Sequence, residues 1–256
     1  MLRPRIIPCL LVQDNGLVKT VNFKSPKYLG DPINAVRIFN EKQVDELVIL
    51  DIDATVQGRE PDYKMIEHWA AECRMPLCYG GGVRTVEQAQ RIFALGVEKV
   101  GISSAAINNP QLIKVIAEQV GRQSVVVILD VKRKLFGGYE VYTHNGRRAT
   151  GESPIDLAKK FQDLGAGEIV INSIDNDGLM KGYDLSLVTK IRNSTSLPLT
   201  VLGGAGSMDD IGALITEFKL IGASAGSLFV FKGKYKAVLI NYPNPDEKDQ
   251  LIQTYI

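Results

Sequence analysis

Runs rich in Val, Ile and Leu alternate with helical patterns along the whole chain. The runs lack the apolar–polar alternation of a strand with one wet face, so they are typical of parallel strands covered on both sides. About eight such strand–helix units predict an α/β protein, a single (β/α)8 TIM barrel over residues 1–256. A doubly wound open sheet is the alternative, because one sequence does not reveal strand order. The predicted strands are Ile6–Leu10, Glu46–Asp51, Pro76–Gly80, Lys99–Ser103, Val125–Asp130, Glu168–Asn172, Leu197–Leu202 and Ala223–Gly226.

The chain also repeats itself, with an offset of 123 residues from Gly81 to Gly204. The segment Tyr79–Val83 resembles Leu202–Gly206, and each is followed by a helical pattern and then by a strand that ends in small residues. Such spacing is typical of duplication. We therefore predict two half-barrel repeats, at about residues 1–120 and 121–256.

Local signals mark one insertion and several helix starts. Residues 138–150 alternate like strands around Asn145-Gly146, which predicts a β-hairpin with a two-residue turn after the fifth strand. Side chains that cap helices precede proline or begin a capping box. These predicted starts are Asp31-Pro32, Asn109-Pro110, Ser153-Pro154 and Thr85 with Gln88.

Charge and composition exclude several classes of function. The 30 Lys and Arg residues nearly balance the 29 Asp and Glu residues, so we expect no broad electrostatic grip on nucleic acid or on a membrane. Apolar runs are too short to span a bilayer, and nothing in the first residues predicts export. The three cysteines have no CxxC spacing, which makes a disulfide framework or a metal site improbable. We expect a cytoplasmic protein without a metal or a cofactor.

Glycine-rich turns follow the third and seventh predicted strands. In such turns the backbone N–H groups can converge on an anion, and barrels bind phosphate at loops of this kind. Glycines that merely permit tight turns are the alternative reading, but duplication of the whole set favours a phosphorylated ligand with an anionic group at each end. The first predicted phosphate site comprises Gly81, Gly82, Ser103 and Ser104, and the second comprises Gly203, Gly204, Gly226 and Ser227.

One carboxylate is placed for acid–base chemistry. Asp130 ends the fifth predicted strand, where side chains point into the mouth of a barrel. A structural pair with Lys132 is the alternative reading. The repeat places Leu11 at the corresponding position of the first strand, and Asp14 is the only carboxylate near it. His144 is predicted to be solvated at the hairpin tip.

Taken together, a set of motifs resembles one family over nearly the whole chain, the cyclase subunit of imidazole glycerol phosphate synthase (HisF). The resemblance implies a TIM barrel that binds a glutaminase subunit (HisH-like) as a heterodimer at its N-terminal face. Ammonia would pass through the barrel to a bisphosphate at the other face. The motifs are Arg5–Leu10, Val18-Lys19, Asn22-Phe23, Gly30–Pro32, Asp45–Leu47, Gly80–Gly82, Tyr142–His144 and Asp175–Gly178.

The resemblance also assigns roles to particular residues. It implies that Lys19, Asp177 and Gly178 contact the substrate and that Glu98 faces the glutaminase. It implies an ammonia gate at the bottom of the barrel, although a purely structural charge ring is the alternative. The gate positions fall on Arg5, Glu46, Lys99 and Glu168.

The predicted active site departs from the family at Leu11, which replaces a catalytic aspartate, and at Ser103 and Asn172. Loss of a general acid or base commonly lowers a rate by about 10²–10⁴-fold. The chain therefore resembles a side branch that supplies ammonia to a separate amidotransferase of surface-polysaccharide sugars, as do its segments 7–11, 226–231 and 241–243. A working histidine-pathway cyclase and a phosphosugar isomerase are the alternatives.

Overall fold

A computed structural model describes residues 3–255 of the chain. Eight parallel strands close into a barrel, because each strand pairs with the next and the eighth pairs with the first. The predicted (β/α)8 barrel is confirmed. Its strands are Arg5–Gln13, Leu47–Asp51, Leu77–Gly80, Lys99–Ile102, Val125–Arg133, Glu168–Ser173, Leu199–Leu202 and Gly222–Ala225.

Helices cover the outside of the barrel, and each turns an apolar face toward the strands. Helix Val86–Ala94 begins at the predicted capping box of Thr85 and Gln88 and buries Ala89 and Ile92. No helix within residues 3–255 is both long and apolar enough to cross a membrane. The helices are Pro32–Glu41, Tyr63–Glu72, Val86–Ala94, Ser104–Asn108, Gln111–Val120, Pro154–Asp163, Leu185–Arg192, Met208–Phe218, Ser227–Val230 and Pro245–Tyr255, and a 3-10 turn covers Arg122–Ser124.

Three of the four predicted helix starts are confirmed. Asp31 and Ser153 each accept a hydrogen bond from a backbone N–H of the first turn. The start at Asn109 is wrong, because Pro110 takes the capping position and no side chain caps that helix. The Asn109 N–H instead donates to the Ala105 carbonyl at 2.9 Å, so this residue closes the preceding short helix.

Two apolar layers follow from the two faces of each strand. Residues such as Ile6 and Leu10 point outward and pack against the helices. The alternate residues of the same strand, Ile7 and Cys9, point into the barrel. The inward set is apolar in the middle of the barrel. It consists of Ile7, Cys9, Leu11, Val48, Cys78, Val126, Ile128, Val170 and Leu202, joined by Val18 from the loop after the first strand.

Three hairpins project from the carboxyl end of the barrel. The predicted hairpin after the fifth strand is present as Tyr139–Thr143 and Arg148–Ala149, but its turn spans four residues, 144–147, because Thr143 pairs with Arg148. Positive φ angles at His144, Asn145 and Gly146 allow this wider loop, and Asn145 donates to the Ile52 carbonyl at 2.7 Å. The sequence did not predict the other two hairpins, which are Gly16–Val21 with Lys24–Gly30 and Phe231–Lys232 with Ala237–Val238.

The glycine-rich turns follow the third and seventh strands, which lie opposite each other in the closed barrel. A duplicated half-barrel requires this placement. The half-barrel boundary near residue 120 stays a prediction.

Candidate functional site

A cavity of about 400 Å³ opens at the carboxyl ends of the strands. Enzymes with this fold carry their chemistry at this face. The cavity brings together many of the residues that the sequence singles out. They are Lys19, Gly81, Gly82, Ser103, Ser104, Asp130, Asp177 and Gly226.

Asp130 is the carboxylate suited to acid–base chemistry. Burial raises the pKa of its carboxyl from 3.8 to about 7, the charge of Asp177 acts in the same direction, and a hydrogen bond from Asn172 opposes them. The Asn172 side-chain amide donates to Asp130 at 3.0 Å. The alternative pairing with Lys132 is wrong. Lys132 lies on the same strand face as Asp130, but it is exposed, its ammonium lies 5.7 Å from the centre of the Tyr142 ring, and no ion pair among the described residues joins it to Asp130. Near pH 7 Asp130 can therefore accept or donate a proton.

Among the described residues that line the cavity, no carboxylate takes the place of Leu11. Leu11 lines the cavity beside Cys9, and both belong to the apolar interior of the barrel. Asp14 does not replace the missing group, because it is exposed in the tight turn beyond the first strand and does not line the cavity. The acid at the end of the second strand, Asp51, accepts the N–H groups of Asp53 and Ala54 at 3.0 Å and so holds its own loop in place.

The first glycine-rich turn lies open to the cavity. Gly81 and Gly82 have φ angles of 133° and 72°, so the turn depends on glycine whether or not it binds phosphate. Ser103 and Ser104 follow the fourth strand on the adjacent side of the same cavity.

His144 lies against this first site. It is in the hairpin turn, as predicted, but it is only partly exposed to solvent. The residue is half-buried and lines the cavity, and its backbone N–H faces the Ser104 hydroxyl at 3.5 Å. The wider loop at 144–147 turns it inward. Burial and the nearby Arg148 lower the pKa of the imidazole, which favours its neutral form.

The second glycine-rich turn is covered. Gly203, Gly204 and Ser227 do not line the cavity, and neither does Gly178. A Cβ atom at Gly203 would lie 2.7 Å from the Ser173 carbonyl oxygen, and backbone packs still closer to Gly178 and Gly204. These three glycines therefore serve close packing of loops here, and phosphate binding at the second site stays a prediction.

Lys19 closes the cavity on this side. Its ammonium forms a buried ion pair with Asp177 at 2.6 Å, and the Thr20 hydroxyl donates to the same carboxylate at 2.9 Å. The side-chain amide of Asn22 donates to the Asp175 carbonyl at 2.8 Å. The loop after the first strand is therefore fastened to the loop after the sixth.

Four charged side chains close the opposite end of the barrel. In this floor ring the Lys99 ammonium lies 2.8 Å from both Glu46 and Glu168, and the Arg5 guanidinium lies 2.6 Å from Glu168 and also contacts Glu46. Thr200 donates to Glu168 at 2.5 Å. Burial acts to raise the pKa of Glu168, but Arg5 and Lys99 hold it below its usual range. The four predicted gate residues thus form one closed network.

Glu98 lies beside the floor ring at the surface. Its carboxylate accepts the backbone N–H of Leu77 at 2.8 Å, at the start of the third strand. This contact gives Glu98 a structural role, and its place in a partner interface stays a prediction.

Asn172 and His144 are the cavity residues that sequence reasoning undervalued. Every second residue of the sixth strand points inward, so Glu168, Val170 and Asn172 share one stripe. The same alternation, followed along the strand from Glu168, would have predicted that the Asn172 amide points inward beside Asp130.

Residues 5–236 match the family described as histidine biosynthesis protein. The chain belongs to this family. A Vibrio vulnificus protein provisionally named imidazole glycerol phosphate synthase subunit hisF3 is 61% identical over 254 residues, which cover 99% of this chain and 98% of the relative. A Pseudomonas aeruginosa protein with a similarly provisional name, subunit hisF2, is 51% identical and covers 97% of this chain and 99% of the relative.

A more distant relative carries the same name without that provision. The imidazole glycerol phosphate synthase subunit HisF of Alkaliphilus metalliredigens is 42% identical over 229 residues, which cover 90% of this chain and 91% of the relative. Fold and similarity together make this chain a HisF-like synthase subunit.

Proposed function

We propose that this HisF-like subunit works in the cytoplasm as a heterodimer with a HisH-like glutaminase, which docks below the floor ring. Ammonia released by the glutaminase passes the ring and crosses the barrel to the cavity at the mouth. The observation that carries this proposal is the ring of Arg5, Glu46, Lys99 and Glu168, which closes one end of an apolar interior that opens at the other end into a cavity. A barrel that acted alone as a phosphosugar isomerase would not need such a gate.

A phosphorylated small molecule is the proposed ligand of the mouth. Gly81, Gly82, Ser103 and Ser104 present the open phosphate site, and Lys19 supplies a cation on the opposite side of the cavity. Asp130 supplies the acid–base group, since its pKa lies near neutrality. The ligand and the residues that bind it remain part of the proposal.

The proposed pathway is the supply of ammonia to a separate amidotransferase, which converts acetamido into acetamidino groups on sugars of surface polysaccharide. Leu11 supports this assignment, because leucine cannot transfer a proton at a position where the cyclase reaction needs an acid. The numbered names of the Vibrio and Pseudomonas relatives fit subunits that exist beside another of the same kind. Cyclisation in histidine biosynthesis is the alternative, and the cavity position of Asp130 favours it.

Ammonia-dependent turnover of the histidine-pathway bisphosphate decides between the two pathways. The purified chain is compared with Leu11→Asp and with Asp130→Asn, which removes the remaining acid. We expect a silent wild type and a gain of activity in Leu11→Asp that is lost again in the double variant Leu11→Asp/Asp130→Asn. Wild-type turnover within about tenfold of a working cyclase would overturn the polysaccharide assignment, because one lost acid costs at least about 10²-fold.

Glutamine coupling tests the gate. In the complex with its glutaminase, Lys99→Ala opens the ring. We expect that the ammonia-consuming reaction is no longer driven by glutamine but still proceeds with free ammonium. Lys114→Ala is the matched control, because Lys114 is an exposed lysine on an outer helix. Equal glutamine coupling in Lys99→Ala and in the control would contradict the channel.

A further inference from the structure

Three protruding segments around the mouth share one composition. The segments 23–30, 131–139 and 231–239, here called the basic tips, lie beyond the first strand, at the end of the fifth strand and beyond the eighth strand. They hold eight of the chain's 30 basic residues and none of its 29 acidic residues. A chain that is nearly neutral overall thus carries a one-sided concentration of positive charge at one face.

Each tip also exposes a large apolar or aromatic side chain. The exposed fractions are 68% for Tyr28, 90% for Leu135, 97% for Phe136 and 91% for Tyr235. A single exposed apolar residue is ordinary, but clusters on one face mark interaction sites. Aromatic side chains such as Tyr28, Phe136 and Tyr235 are also enriched at protein–protein interfaces.

Of the eight positive charges of the tips, only that of Arg133 is neutralised among the described residues, by a salt bridge to Asp184 at 2.8 Å. All of their lysines are exposed, and none forms a salt bridge within residues 3–255. Lys27 lies 5.3 Å from the centre of the Phe231 ring, a contact that joins the first tip to the third. These lysines are Lys24, Lys27, Lys132, Lys134, Lys232, Lys234 and Lys236.

The position of the tips indicates a binding role for them, and this inference rests on the proposed function. The first and fifth strands lie opposite each other in the barrel, so the tips flank the cavity from both sides. Ammonia delivered to an open mouth would mix with bulk solvent, and the channel would then bring no advantage. A protein seated on the tips would cover the mouth and receive the ammonia directly.

We propose that the basic tips are the docking site of a partner protein whose surface there is acidic with apolar pockets, and which consumes the delivered ammonia. Unpaired lysines would steer an acidic surface into place, and Phe136 and Tyr235 would enter its pockets. An anionic lipid surface would match the charge but could not use ammonia. The protein partner is therefore the occupant that the cavity favours.

Photo-crosslinking in the native host, followed by binding measurements, tests this surface. A photoreactive benzoylphenylalanine replaces Phe136, Tyr235 or, as control, the partly exposed Val115 on an outer helix. Proteins crosslinked at each site are identified by mass spectrometry and purified. Their affinity is then measured for wild type, for Lys232→Glu/Lys234→Glu/Lys236→Glu and for Lys114→Glu.

The expected result is one ammonia-consuming protein that crosslinks from both tip positions and not from Val115. Its dissociation constant should rise at least about tenfold in the triple variant and change less than about twofold in Lys114→Glu, with weaker binding at high salt. The proposal is overturned by the absence of a shared partner, by equal affinity of the triple variant, or by binding to phosphatidylglycerol vesicles that the triple variant loses. Because the gate test concerns Lys99 on the opposite face, the two proposals can fail separately.

Discussion

Replacing Asp130 by asparagine should stabilise the folded protein in alkaline solution and leave its stability unchanged in acid. The pKa of this carboxyl is raised by burial from 3.8 to about 7, so the folded state favours the protonated form. Between these two values the folded state holds a proton that the unfolded state has released. The free energy of unfolding of the wild type must therefore fall as pH rises from 3.8 to about 7 and level off above that.

The size of the effect follows from the same two values. The difference between 3.8 and about 7 corresponds to at most ~4.5 kcal/mol at ~1.4 kcal/mol for each pH unit, and with local relaxation we expect about 2 kcal/mol or more. Asparagine imitates the neutral acid in size and shape. Asp130→Asn should therefore match the wild type near pH 4 and exceed it in stability by that amount at pH 8.5.

Urea unfolding at the two pH values measures the difference directly. Asp163→Asn is the matched control, since Asp163 is exposed at the end of an outer helix and its replacement should have the same effect at both values. An equal effect of Asp130→Asn at pH 4 and pH 8.5 would refute the reasoning. A destabilising effect at pH 8.5 would show that the ionised carboxylate contributes to the fold.

Three further predictions concern the ring, the loop and the thiols. Glu168→Gln should lower the free energy of unfolding by about 3 kcal/mol, because two half-buried cations lose the charge of a buried partner, and chemical denaturation will measure it. Lys19→Met should leave the buried carboxylate of Asp177 without its cation and so loosen the first hairpin. Trypsin should therefore cut this hairpin faster than in wild type. Burial raises the pKa of Cys9 to about 12 and that of Cys78 well above its ordinary value. Neither should react with a thiol reagent at pH 8 unless the protein is unfolded, as mass spectrometry can show.

The barrel could be predicted because its signal is distributed over the whole chain. Eight apolar runs without alternation need two covered faces each, and a closed barrel with outer helices is the simplest way to provide them. The repeat from Gly81 to Gly204 added a check that no single strand could give. Errors came where short-range signals competed, as at Asn109, which ends one helix while the next begins beyond Pro110.

The candidate site was less predictable, because its contacts join residues far apart in sequence. The floor ring came from the resemblance alone, since no spacing relates Arg5 to Glu168. The strand Lys24–Gly30 has little strand-like composition and forms because its partner, Gly16–Val21, lies beside it. The pair of Lys19 with Asp177, which fastens the loop after the first strand to the loop after the sixth, likewise depends on how two loops meet.

If ammonia crosses the barrel as proposed, the floor ring has a consequence for how its passage can be controlled. Each cation touches both carboxylates and each carboxylate touches both cations. Moving any one side chain therefore leaves two opposite charges short of a partner in a poorly hydrated place. A partly opened ring is therefore unfavourable, and the four side chains should change between a closed and an open arrangement together. Docking of a partner would accordingly open or close the ring in one step and would not adjust its opening gradually.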